Sequence, residues 1–114
     1  MIRLSAFSDE AGSSIEQQID AMKRNGISLT ELRSIDGKNV SAFTKEEAKE
    51  YQRIFEENGI AVWSIGSPLG KADIETDFVA YEEKVRHVCE LAKIFKTDKI
   101  RINKYFFYGL FFNF

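Results

Sequence analysis

Charged residues fall where short apolar runs end, and their spacing is chemically suggestive. In Leu29-Thr30-Glu31-Leu32-Arg33, an extended backbone points residues i and i+2 to the same face, about 6–7 Å apart. Glu31 and Arg33 then form a polar pair on one face. A carboxylate there can accept a hydrogen bond from a hydroxyl or move a proton. A guanidinium can grip a carboxylate, a phosphate or two hydroxyls. Arg101, in Lys99-Ile100-Arg101-Ile102, holds a similar place. The plainer reading is an ion pair that orders a strand end, or Glu31 serving as a partner for Arg101.

The loop Gly66-Ser67-Pro68-Leu69-Gly70-Lys71 is the stretch that points to an anion or a polyhydroxyl group. Its backbone N–H groups, Ser67 and Lys71 would make the contacts. It is not a nucleotide P-loop, because three residues separate the glycines and Ala72 replaces the Ser or Thr. A tight Pro-Gly turn from strand to helix accounts for it as well. Ser5, Ser8 and Asp9 carry the same two readings, with Asp9 alternatively serving the start of the first helix. Trp63 is expected in the core, with ring stacking on a ligand as the alternative. No residue declares itself catalytic. The single histidine, His87, falls mid-helix as a partly exposed residue, and no three or four residues converge as metal ligands. Cys89 has no partner cysteine and is expected as a small buried apolar residue.

An internal repeat organises these positions. Asn25-Gly26-Ile27 recurs as Asn58-Gly59-Ile60 after 33 residues, each copy between a helical pattern and an apolar run. Gly just past a helix end fits the left-handed cap. Ser13 with Glu16, and Thr44 with Glu47, match the capping box. Ile15, Ile19 and Met22 share one helical face, as do Ala48, Tyr51 and Phe55. A third helix over 77–95 puts Tyr81, Val85, Val88, Ala92 and Phe95 on one stripe. The charges at 45–57 read as a solvated outer face. Apolar runs at 2–7, 28–33, 60–65 and 99–102 read as strands, giving β-α-β-α-β-α-β and a parallel sheet. Charged residues inside the strands favour a (β/α)8 barrel over a flavodoxin-like open sheet, whose central strands are continuously apolar. The expected fold class is α/β, a partial (β/α)8 TIM barrel comprising the first four strands and three helices.

Composition bounds the function. Across 114 residues, 44% are hydrophobic, 30% are charged and the net charge is −2, which is ordinary for one globular domain. Charges of both signs are interspersed, so no basic surface invites nucleic acid. The start of the chain lacks a signal-peptide pattern. Residues 105–114, YFFYGLFFNF, hold seven aromatics but fall short of the roughly 20 residues a spanning helix needs. A cytoplasmic protein with no membrane contact is the expectation. That tail breaks the preceding pattern. Residues 1–102 are expected as the N-terminal half of a barrel, and 103–114 as an aberrant, frameshift-like tail.

The chain resembles the xylose isomerase-like TIM-barrel superfamily, in particular the sugar phosphate isomerase/epimerase group. The resemblance rests on Phe7-Ser8-Asp9-Glu10, on Glu31-Leu32-Arg33 with Asp36-Gly37-Lys38-Asn39-Val40, and on Ser64 to Lys71. Ala92-Lys93 running into Lys99-Ile100-Arg101-Ile102 completes it. It implies proton-transfer isomerisation or epimerisation of a small sugar or sugar phosphate. Glu31, Arg33, Ser67, Lys71 and Arg101 would bind substrate. Full-length relatives would hold a divalent metal through residues of later strands, and none is expected to be held here. The competing expectation is a non-catalytic half-barrel that self-associates as a homodimer, covering its open face and edges.

Overall fold

The computed structural model describes residues 5–67 and 78–101. Lys71, Ile102, the 103–114 tail, residues 2–4 and the 68–77 segment lie outside the described residues. The main sheet comprises β1 (Ser5–Ala6), β2 (Leu29–Leu32), β5 (Ala61–Gly66) and β6 (Ile100–Arg101), hydrogen-bonded in that order. All pairings are parallel, with Ala6 beside Thr30, Leu32 beside Ile65, and Gly66 beside Arg101. The helices are α1 (Ile15–Arg24), α2 (Lys45–Glu57) and α3 (Phe78–Ile94).

Barrel character follows from two observations. Each successive parallel strand adds on the same side of the last, without the reversal of order that marks a doubly wound sheet. In addition, Ile15, Ile19 and Met22 of α1, Ala48 and Phe55 of α2, and Val88, Leu91 and Ala92 of α3 form one buried cluster with Leu32, Val62 and Ile65 of the sheet. All three helices therefore cover the same sheet face. This is an α/β fold corresponding to part of a (β/α)8 barrel.

The helix ends follow the sequence logic, with one surprise. Gly26 and Gly59 take positive φ, and Ile27 and Ile60 donate back to the carbonyls of Met22 and Phe55 at 2.8 and 2.9 Å. These are Schellman caps. Helix α3 ends the same way, Thr97 donating to the Ala92 carbonyl at 3.0 Å, but Lys96 occupies the left-handed position at φ 58°. A side chain there is strained. Lys96→Gly is therefore expected to stabilise the chain by about 0.5–1 kcal/mol, net of its exposed contact with Glu56. A urea midpoint that falls would contradict this.

Two expectations need correction. The first capping box pairs Ser14 with Gln17, one residue later than Ser13 with Glu16. Gln accepts from the cap N–H as Glu does, and the Ser13 carbonyl is taken by the Asp36 N–H at 2.6 Å. The second box, Thr44 with Glu47, stands as expected. The sequence reading also missed an antiparallel hairpin, β3 (Ser34–Ile35) with β4 (Lys38–Asn39). Its turn residues Asp36 and Gly37 both have positive φ, 56° and 75°, as a two-residue hairpin turn requires. The hairpin buries Ile35 and leads into buried Val40.

Tyr51 of α2 ties down the hairpin, donating its hydroxyl to Asp36 Oδ2 at 2.8 Å. Burial, and then the bond to Asp36, push the Tyr51 phenol up to about 12. The folded state thus favours the neutral phenol. Its contribution is complete below the unfolded value of about 10 and is lost as pH rises towards about 12. The stability advantage over Tyr51→Phe is expected to shrink across that window in urea titrations. A difference that stays flat would contradict the assignment.

Candidate functional site

Along β2 the side chains alternate. Leu32 enters the helix-facing core, as do its strand partner Ile65 and, two pairs earlier, Val62 beside Thr30. Glu31 and Arg33 belong to the opposite face, which in a closed barrel is the interior. Between the pairs Thr30–Val62 and Glu31–Ser64 the register slips, with Trp63 as the additional residue of a β-bulge. Without the bulge, strict alternation through Trp63 would send Ser64 into the helix-facing core and Ile65 to the interior.

The carboxyl ends of the strands converge on one aromatic ring. Phe7 directly follows β1. The Arg33 guanidinium carbon stands 4.1 Å from its ring centroid and that of Arg101 stands at 5.1 Å. Two cations thus share one π-face donor. Arg33 is held further by Asp9, with Nε 3.1 Å from each carboxylate oxygen and Nη2 2.8 Å from Oδ1. Glu10 adds a longer contact at 3.5 Å. The hydrogen bond to Asp9 is the main cause holding the Arg33 pKa above its ordinary value. Gly66 makes room for this arrangement, since a Cβ at that position would lie 2.7 Å from Arg33 Cγ.

The predicted residues separate into roles. Glu31 and Arg33 do share a face, but Arg33 is spent on Asp9. Glu31 instead lies 3.9 Å from Arg101, at the outer limit of an ion pair, with the Arg101 side chain 62% exposed. Arg101 is accordingly the cation least committed to protein partners in this group. Ser67 donates its hydroxyl to the Arg101 carbonyl at 2.7 Å, fastening the loop to the end of β6. Lys71 is outside the described residues.

Other positions are structural. Ser8 is buried and donates to Gln18 at 2.8 Å, with Thr30 at 2.9 Å. Asp9 clamps Arg33 and does not cap α1, whose cap is Ser14. His87, half-buried, lies with Nε2 2.7 Å from the Phe43 carbonyl, so this nitrogen carries the proton and donates it. Cys89 is half-buried rather than fully enclosed, and burial raises its thiol pKa. Trp63 departs from expectation. The bulge takes it out of the core, it is 42% exposed, and the Lys99 ammonium lies 4.1 Å from its ring centroid. Among the described residues no group of three or more His, Cys, Asp and Glu could hold a metal ion, so these residues do not fit the divalent metal that the resemblance implies. Nor is any described helix long and apolar enough to cross a membrane.

Sequence reasoning missed Phe7 as the shared ring and Gln18 as the buried organiser, and it named Asp9 as a ligand contact or helix-start residue rather than as the clamp on Arg33. Only Asp9 carried a sequence signal, being an acid just after the first strand.

Neither a protein-family model nor a curated protein matches this chain. Among solved structures, it is similar to the crystal structure of the probable 3-DHS dehydratase AsbF, involved in petrobactin synthesis, from Bacillus anthracis. The TM-score is 0.66 at 22% identity, covering 89% of this chain and 38% of that one. That protein is a TIM-barrel protein. What the two share is the fold. This chain spans 38% of the length of that barrel protein.

Proposed function

We propose that this chain forms one wall of the substrate mouth of a barrel enzyme acting on a small sugar or sugar phosphate by proton-transfer isomerisation or epimerisation. The supporting observation is the placement of Arg33, Arg101 and Glu31 around Phe7 at the carboxyl ends of parallel strands, the end where barrel enzymes carry their sites. Arg33, fixed by Asp9, shapes the wall. Arg101 meets the anionic end of the ligand, and Glu31 accepts from its hydroxyls. The proton-transferring base belongs to strands beyond these four, so this chain alone is expected to bind without turnover.

The test is an NMR titration of the 114-residue chain with glucose 6-phosphate, reading the arginine Nε–Hε signals. The Arg101 signal is expected to shift. Arg101→Ala is expected to weaken binding about tenfold, the scale of one charge-assisted contact. Unchanged signals at saturating ligand would overturn the reading.

A second reading is a non-catalytic half-barrel that self-associates. It is favoured by β1 and β6, each of which pairs on one side only among the described residues. A folded monomer in light scattering would remove it.

A further inference from the structure

One side chain on the inner face has chemistry that the rest of the fold leaves unused. Ser64 is 6% exposed, and its Oγ has no hydrogen-bond partner among the described residues. Buried hydroxyls are almost always paired, so this one calls for an explanation. The bulge at Trp63 is what takes Ser64 out of the helix-facing core and sets it beside Glu31. Bulges gather next to active sites, where they re-aim a side chain.

We infer that Ser64 is a specificity-determining contact for a ligand hydroxyl on the inner face. This deepens the reading of the mouth given above and rests on it. The ligand group is a hydroxyl because a serine hydroxyl both donates and accepts, and its cross-strand neighbour Glu31 offers acceptors only. The charged end of the ligand belongs to Arg101, which lies level with Gly66. Ser64 lies two residues deeper along β5, roughly 6–7 Å below the strand ends. The ligand is then an anion carrying a hydroxyl several carbons away, and an inorganic anion reaches only the upper contact.

The experiment compares inorganic phosphate and glucose 6-phosphate on the full chain, its Ser64→Ala and Ser64→Cys variants, and Arg101→Ala. The wild type is expected to bind the sugar phosphate about tenfold more tightly than phosphate, as a site built for a hydroxyl should. Ser64→Ala should erase that advantage while leaving phosphate affinity unchanged. Ser64→Cys, a weaker donor of similar shape, should fall between. Arg101→Ala should weaken both ligands. Because removing an unpaired buried hydroxyl relieves a cost, Ser64→Ala should also raise Tm by about 3 °C.

If the wild type binds neither ligand, the reading of the mouth falls and this inference with it. Equal affinity for the two ligands leaves the anion site standing and removes hydroxyl recognition. A sugar-phosphate advantage that survives in Ser64→Ala, or a Tm that drops, overturns the role of Ser64 alone.

Discussion

Leu32→Ala should cost the chain about 3–5 kcal/mol, whereas Glu31→Ala, one residue earlier, should cost less than about 1 kcal/mol. Leu32 is fully enclosed among the helices, so truncation removes its transfer energy and leaves a cavity. Glu31 looks the other way and makes only a 3.9 Å contact with a largely exposed Arg101. The contrast between adjacent positions reports which face the helices cover. Urea denaturation of both variants measures it, and comparable losses would mean that the two faces have been confused.

Gln18→Leu should cost about 2–3 kcal/mol despite keeping nearly the same shape. Gln18 is fully buried. Its amide donates to the carbonyls of Ser34 at 2.9 Å and Ser13 at 3.3 Å, and its oxygen accepts from Ser8 at 2.8 Å. One α1 side chain therefore pins the start of the hairpin and the turn that presents Asp9. Leucine leaves the Ser34 carbonyl without this donor and sends the Ser8 hydroxyl to find another acceptor. The Asp9 clamp on Arg33 should loosen as well, read as a broadened Arg33 Nε–Hε signal. Unchanged stability, or an unchanged Arg33 signal in a destabilised variant, would show that Gln18 does not organise the mouth.

The helices and the sheet order were legible because their signals are local. The Asn-Gly-Ile repeats end two helices with left-handed glycines, and the apolar stripe from Tyr81 to Phe95 does pack on the core. The faces of Glu31 and Arg33 also followed from alternation. Alternation failed at Trp63, because a bulge is a choice made between two strands and leaves no mark in either alone. The hairpin at Asp36-Gly37 had a local signal, the two-residue turn, and was passed over because it interrupts a strand-helix rhythm. Within the site, the sequence grouped the charges but could not pair them. That Arg33 goes to Asp9 while Glu31 faces Arg101 depends on how the end of β1 curls through the turn at Ser8–Glu10, which buried Gln18 sets from a distant helix.

Proton–proton contacts from the Phe7 ring test the account most directly. If the carboxyl ends of the strands form one wall of a barrel mouth, nuclear Overhauser effects should link the Phe7 ring to the δ-protons of both Arg33 and Arg101. The methyls of Leu32 and Ile65 should instead show effects to Val88 and Leu91. Arginine δ-protons that contact Val88 or Leu91, with no effect to Phe7, would place those cations under the helices and contradict the account.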